Sequence, residues 1–377
     1  MKKIKILIFT AITGHMSLAQ AAKSFLEELP NAEIKIVNLM GDRLAWGFYK
    51  ISYRFLPFLA KVPYEISKNE SVVEMVKSYF VIKYRKRVLN VLKKERPDIV
   101  ITTYFGYLPI LDEIKPVAKF GFINIISDPV TIHPLIFSKE ADYNIGFEKY
   151  FVKIAKKMGI SKRSLLPLGW LVRKNFFEDV DKEKIRKKYR LDKKLTLLFC
   201  GGSEGSNAII LLLPFLLFTK MKREFQIIFI CGNNKALEKV IKNTYRIAKR
   251  INANVPKILV KGFTNKLHEF MAVSDVVIGK AGPNLIFESV SMQKPFLAIT
   301  HISGQEDGNL YLIKKYKLGW VAEDPVKASK VLKNIIENPK ILEKYKHLKK
   351  ISEKNYNTGK KIVEIVEKME KNTSLKF

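Results

Sequence analysis

The feature that most constrains the fold is a repeating alternation. Short apolar runs rich in β-branched residues, Ile4–Phe9, Glu33–Asn38, Ile99–Thr103 and Phe122–Ile126, are separated by stretches with helical spacing. The rhythm resumes in Thr196–Cys200, Gln226–Cys231, Lys257–Val260, Val276–Ile278 and Pro295–Ile299. Runs of continuous apolar character suit strands covered on both faces, as parallel sheets require. Such strands alternating with helices predict an α/β chain of parallel sheets, and at about 150 residues per domain the 377 residues accommodate two. Residues 178–194, EDVDKEKIRKKYRLDKK, are polar and heavily charged. The boundary is therefore expected in a linker at 172–195, between a first domain of residues 1–171 and a second beginning at 196.

Composition narrows the class further. With 47% hydrophobic residues the chain is ordered rather than disordered or fibrous. Its 68 Lys and Arg against 36 Asp and Glu give a net charge of +32, a field that attracts phosphates, nucleic acid or anionic membrane without choosing among them. RNP, helix-turn-helix and zinc signatures are missing and the charge is spread throughout, so nucleic acid is not the expected partner. Two cysteines, Cys200 and Cys231, make no disulfide framework, which fits a reducing cytoplasm. The opening MKKIKILIFTAITGHMSLAQA imitates a secretory leader. Its apolar run, however, ends in a Thr/Gly turn and is followed by Leu18, Ala21, Ala22, Phe25, Leu26 and Leu29, a helical stripe, so strand, loop and amphipathic helix is the better parse. Residues 208–218, interrupted by Pro214, fall short of the ~20 apolar residues a bilayer span needs, and no transmembrane helix is expected.

Several loops carry chemistry. Gly14-His15 lies at the end of the first strand and opens a helix, the edge at which ligands bind in doubly wound sheets, and a neutral His15 there can serve as a general base. Gly201-Gly202-Ser203-Glu204-Gly205-Ser206-Asn207 repeats that arrangement in the second half, where glycines and a helix start suit a phosphate. Its spacing is neither GxGxxG nor GxxxxGK[ST]. Gly279-Lys280-Ala281-Gly282-Pro283-Asn284 forms a second anion-friendly helix start, with proline near the first helical position. Four residues on, Glu288 is placed to accept two hydroxyl hydrogen bonds, as acids do for ribose. Gln305-Glu306-Asp307-Gly308-Asn309 follows the last strand with the amide and carboxylate groups that hydroxyl-rich ligands need.

Taken together, GFTNKLHEFMAVSDVVIGKAGPNLIFESVSMQKPF and ISGQEDGN closely resemble the donor half of GT-B glycosyltransferases of the monogalactosyldiacylglycerol synthase and processive diacylglycerol glucosyltransferase group, akin to the lipid II-forming N-acetylglucosaminyltransferase. The resemblance is strongest over residues 258–322, good over Gly201–Asn207 and looser over residues 4–30 and 122–160. It implies two Rossmann-like, doubly wound domains facing a cleft, a donor domain over 196–354, and a last helix over 355–377 crossing back to the first domain. It also implies that Phe263 contacts uracil, that Gly201, Gly202, Ser203, Gly282, Pro283 and Asn284 face the diphosphate, and that Glu288 binds ribose. Gln305 and Glu306 would hold the donor sugar, with Asn309 completing the motif. His15, after Gly14, is the implied base, oriented by Asp128. The segment Asp128-Pro129-Val130-Thr131-Ile132-His133-Pro134 is similar to the family's acceptor-side motif. The first loop departs from the family's GGGH pattern, reading AITGH, and Met16 replaces the basic residue of plant enzymes.

The implied reaction is an inverting transfer of a hexose from a UDP-sugar to a lipid such as diacylglycerol, with no metal and no cofactor. Related readings are N-acetylglucosamine transfer to a polyprenyl-linked acceptor, and a UDP-N-acetylglucosamine 2-epimerase. Trp46, Phe48, Tyr49, Tyr53, Phe55, Phe58 and Tyr64 are interleaved with basic residues, and between Lys50 and Arg96 there are 12 basic residues against four acidic. That composition suits an anionic membrane surface, so the protein is expected in the cytoplasm, peripheral on the inner face of the membrane.

Overall fold

The computed structural model describes residues 3–40, 60–202, 207–252 and 254–374. Trp46, Phe48, Tyr49, Tyr53, Phe55 and Phe58, with Lys50 and Arg54, and Ser203 of the glycine-rich loop lie outside the described residues. The chain forms two compact units, passing from the first to the second between Lys174 and Asn175 and returning to the first at Glu353.

The first unit is built on β1 (Ile4–Phe9), β2 (Ala32–Val37), β3 (Ile99–Thr102), β4 (Gly121–Ile125), β5 (Tyr143–Phe147) and β6 (Leu165–Leu168), in the order β2-β1-β3-β4-β5-β6. The second contains β7 (Leu195–Cys200), β8 (Phe225–Ile230), β9 (Lys257–Lys261), β10 (Val276–Lys280), β11 (Phe296–Thr300) and β12 (Gly319–Val321), in the order β12-β11-β10-β7-β8-β9. Every pair of neighbouring strands is parallel. Both sheets are doubly wound, the class that the alternation of apolar runs predicts. Strands such as β3 and β8 are buried along their whole length, because helices cover both faces.

Three strands go beyond the expected set: β5, β6 and β12. Each contains a residue that sequence patterning treats as a breaker, namely Gly146, Pro167 and Gly319. In the segment expected as linker, Lys182–Tyr189 is a helix of the second unit. Asp181 caps it, its Oδ1 accepting from Lys184 N at 2.9 Å, and Ile185 is buried.

Topology decides where ligands can go. In each sheet the chain winds outward from a central strand and then crosses to that strand's other side. The switch point lies between β1 and β3 in the first unit and between β7 and β10 in the second, and crevices open there at the carboxyl ends of the strands.

Candidate functional site

At the first switch point, a hydrogen bond spans the two strands. His15 stands in the first turn of the helix Gly14–Leu26, which follows β1, and its Nδ1 lies 2.7 Å from the carbonyl oxygen of Thr103, just past β3. A carbonyl only accepts, so Nδ1 carries the proton and Nε2 keeps its lone pair. Thr103 Oγ1 in turn donates to His15 O at 3.0 Å and pairs with Thr10 Oγ1 at 2.8 Å, while Tyr107 OH donates to Thr10 O at 3.1 Å. The ring of Tyr104 meets the imidazole edge-on at 4.8 Å. The His15 ring keeps some surface, yet close packing desolvates it and lowers its pKa to about 4 despite the Thr103 bond. The group that holds Nδ1 is thus Thr103 rather than Asp128, which accepts from Ser127 Oγ at 3.2 Å.

The backbone before this histidine is strained. Thr13 has φ 62° and ψ −123°, a conformation that favours glycine. Where the family pattern has glycine, this chain has a β-branched residue, and Gly14 after it is exposed.

The acceptor-side segment after β4 has a bracing role. His133 is buried; its Nδ1 accepts from Leu135 N at 3.1 Å, which leaves Nε2–H to donate to Ser67 Oγ at 3.0 Å. Ser67 Oγ passes a hydrogen bond to Tyr64 O at 2.7 Å, and Tyr64 OH donates to Thr131 O at 3.1 Å. Burial, then the charge of Lys68, lowers the His133 pKa, so this ring is neutral. Thr131 and His133 therefore hold the short helix Lys61–Ile66 and the turn after it.

The second switch point gathers most of the expected donor residues. Gly201 N donates to Ile230 O at 3.2 Å, and Gly202, at φ 75°, turns the chain away from β7. Gly279 on β10 lies in register with Cys200 on β7, so close that a Cβ there would strike the Cys200 carbonyl. Gly282 caps the helix Pro283–Ser291, which therefore presents its first N–H groups, with Asn284, at the same strand edge. Glu288 on this helix is only 6% exposed, whereas a helical glutamate is ordinarily solvated. Its charge adds to burial in raising the Cys200 thiol pKa, which places the carboxylate beside the end of β7.

Beneath Gly282 lies a pair that the sequence reading did not single out. Lys280 Nζ is bonded to Glu306 Oε1, with both side chains largely buried, and a Cβ on Gly282 would come within 3.2 Å of that ammonium. Glu306 Oε2 accepts from Ile302 N at 2.7 Å, so this carboxylate braces the loop and holds the lysine. Asn309 is buried, its Nδ2 donating to Ala281 O at 2.8 Å, and it bolts the helix Asp307–Lys315 to the Lys280–Gly282 loop. Gln305 is the partly exposed member of the expected sugar pair. Phe263 stands apart, 59% exposed on the turn after the edge strand β9. Thr103, Lys280 and His301, described below, carried only indirect signals: they sit at strand ends or inside motifs chosen for their glycines and acids.

Two doubly wound units, each a six-stranded parallel sheet with polar loops at its switch point, are the architecture of GT-B glycosyltransferases. The family model for the monogalactosyldiacylglycerol (MGDG) synthase matches residues 15–172, and that for the glycosyltransferase family 28 C-terminal domain matches residues 196–369. Each half of the chain thus matches the model of a glycosyltransferase domain. Monogalactosyldiacylglycerol synthase 1 of Arabidopsis thaliana is 28% identical over 349 residues, 88% of this chain and 64% of that one. The chain thus spans a little less than two thirds of that plant relative's length. A processive diacylglycerol beta-glucosyltransferase of Staphylococcus epidermidis is 23% identical over 375 residues, covering 95% of this chain and 91% of that one. Among solved structures, a glycosyltransferase from Rickettsia africae aligns with a TM-score of 0.60 at 16% identity over 99% of this chain and 100% of that one. MurG of Acinetobacter baumannii gives 0.60 at 13% identity, covering 97% and 99%. A UDP-N-acetylglucosamine 2-epimerase gives 0.53 at 13%, covering 94% and 91%; at such identities the likeness shows the fold alone.

Proposed function

We propose that this glycosyltransferase moves a hexose from a UDP-sugar to the hydroxyl of a lipid such as diacylglycerol, inverting the anomeric centre, at the cytoplasmic face of an anionic membrane. The observation that carries the reading is the convergence at the β7/β10 switch point of a glycine loop, a helix start, the buried Glu288 and the Lys280–Glu306 pair. The sequence relatives, named for transfer to diacylglycerol, favour this over the epimerase reading, which the shared fold leaves open.

In this mechanism the lipid hydroxyl attacks the anomeric carbon as the bond to UDP breaks. His15 Nε2 takes the hydroxyl proton. A base whose pKa is lowered to about 4 is already unprotonated and accepts the proton late, as attack makes the hydroxyl acidic. Charge developing on the diphosphate is met by backbone N–H groups after β7, by the start of the helix Pro283–Ser291 and by Lys280, without a resident cofactor. Glu288 takes the ribose hydroxyls and Gln305 the sugar, while Glu306 and Asn309 fix the loops that carry the contacts.

Among the described residues no helix is long and apolar enough to cross a membrane. The helix Glu70–Glu95 instead exposes Met75, Tyr79 and Ile82 opposite its buried Val73, Tyr84 and Val88, and the helix Lys61–Ile66 exposes Val62 and Ile66. Apolar residues among Lys77, Lys83, Lys86 and Arg87 suit an interface of anionic lipid.

The test is a product assay with purified protein, each radiolabelled UDP-hexose and liposomes of diacylglycerol with anionic phospholipid. A labelled glycolipid is expected. UDP-sugar binding without lipid product would overturn the diacylglycerol reading in favour of a polyprenyl-linked or soluble acceptor.

A further inference from the structure

His301 follows β11 and opens the loop that carries Gln305 and Glu306. Its Nδ1 is 2.5 Å from Glu323 Oε1, just past β12, and its Nε2 is 2.9 Å from Asp307 Oδ1, at the start of the helix Asp307–Lys315. Ionised carboxylates only accept, so both ring nitrogens carry protons and the imidazole is a cation. The same Asp307 oxygen accepts from Gly304 N at 2.9 Å, and Gly304 takes φ 87° to allow it. Glu306 Oε2 closes the other end on Ile302 N. The loop is thus pinned internally by Asp307 and Glu306, and His301 ties it sideways to the chain after β12. His301, Glu323 and Asp307 have no part in the donor contacts proposed above.

We propose that His301 is a positioning residue for the donor sugar: its imidazolium clamps the Gln305–Glu306 loop to Glu323, so that donor affinity falls when the ring loses its proton. The proposal rests on the reading that this loop holds the sugar of a UDP-sugar. The titratable groups facing the ring are Glu323 from the β12 side and Asp307 from the helix side. Burial by itself would favour the neutral ring, but the two carboxylates outweigh it and raise the pKa above the ordinary 6.5. As pH rises through that raised value, one nitrogen turns from donor to acceptor and confronts a carboxylate. One of the two ties is lost.

The test uses the full chain. It contains five histidines, so ring-labelled NMR resolves few resonances, and that of His301 is assigned by its loss in His301→Gln. Wild-type His301 is expected to titrate above 6.5. By calorimetry, affinity for UDP-glucose or UDP-galactose is expected to fall about tenfold between about pH 6 and pH 9, with a smaller change for UDP, which lacks the sugar. His301→Gln is expected to bind the UDP-sugar about tenfold more weakly at low pH with a flat profile, raising KM for the donor more than it lowers kcat. His301→Arg, permanently charged, is expected to restore affinity with an equally flat profile. A ring that titrates at or below 6.5, or a His301→Gln protein that keeps the wild-type pH slope, overturns the proposal. Failure of the wild type to bind any UDP-hexose at any pH removes the donor reading and the positioning role with it. That failure is recognisable because it leaves the ring titrating above 6.5.

Discussion

His15 and His301 each follow a buried strand at the carboxyl edge of a parallel sheet, one in each unit, and their surroundings drive them to opposite charge states. His15 has a backbone carbonyl on Nδ1 and an aromatic ring at its edge, and the desolvation of a cation outweighs the Thr103 bond, so its pKa drops to about 4. His301 is less deeply packed but also desolvated, and carboxylates on both nitrogens reverse the outcome. Burial decides the charge state of His15 against its one hydrogen bond, whereas at His301 the carboxylates on both ring nitrogens override it. The difference matches the proposed roles, since a base must keep a lone pair and a clamp must keep two donors.

The largest effect is expected at the neutral histidine. His15→Ala should lower the transfer rate by about 10³-fold while UDP binding in the second unit stays near wild type. A variant with wild-type turnover would remove His15 from the chemistry and leave the comparison as two structural histidines. The pH profile sharpens the contrast. For His15 the folded-state pKa lies below the ordinary 6.5, so its proton-accepting form persists as pH falls through 6.5 and is lost only near 4. For His301 the folded-state pKa lies above 6.5, so its contribution is full at low pH and lost as pH rises. The ratio kcat/KM should therefore show no loss between about pH 7 and pH 5; an acidic limb centred at 6.5 would mean that His15 is not desolvated as described.

A second charge pair in the donor unit predicts a smaller but distinct loss. Lys280 and Glu306 are both buried, so Lys280→Met strands a carboxylate and should cost about 3 kcal/mol, read as a lower melting transition of the second unit. The double variant Lys280→Met with Glu306→Gln should recover part of that stability without recovering donor affinity. Recovery of both would reduce the pair to packing. The His301 clamp, exposed at its edges, should cost less than this when broken.

What could be read from the sequence follows from how local each signal is. Strands β1, β3, β7 and β8 declare themselves because each is dominated by apolar residues, nearly all of them buried. Strand β5 hides behind Gly146, whose missing Cβ makes room for the Phe151 ring, and β6 behind Pro167, tolerated because β6 is an edge strand. The glycine loops and Glu288 were legible because backbone approach and a helix start leave their mark within a few residues. Thr103, Lys280 and Glu323 were not, since their meaning depends on which strands become neighbours: Thr103 is 88 residues from His15, and Glu323 is 22 from His301. The inward engagement of Glu306 was equally hidden, because a carboxylate beside a glutamine reads as a ligand pair until its partners are known.

The smallest predicted effect concerns how each histidine is held. His301 is fixed by ions, whereas His15 is fixed partly by the backbone, with Thr13 forced to φ 62° immediately before the helix that carries the ring. Such a conformation in a β-branched residue costs about 1–3 kcal/mol, and glycine adopts it freely while losing about 1 kcal/mol of chain entropy. Thr13→Gly should therefore stabilise the first unit by about 1 kcal/mol, seen as a modest rise in its melting transition, and bring the loop nearer the family's glycine pattern. If activity also survives, the strain is an incidental feature of this chain and the Thr103 hydrogen bond suffices to aim Nε2. If the variant is more stable but slower, Thr13 contributes to aiming the base, and the first unit stores in its backbone what the second stores in its ion pairs.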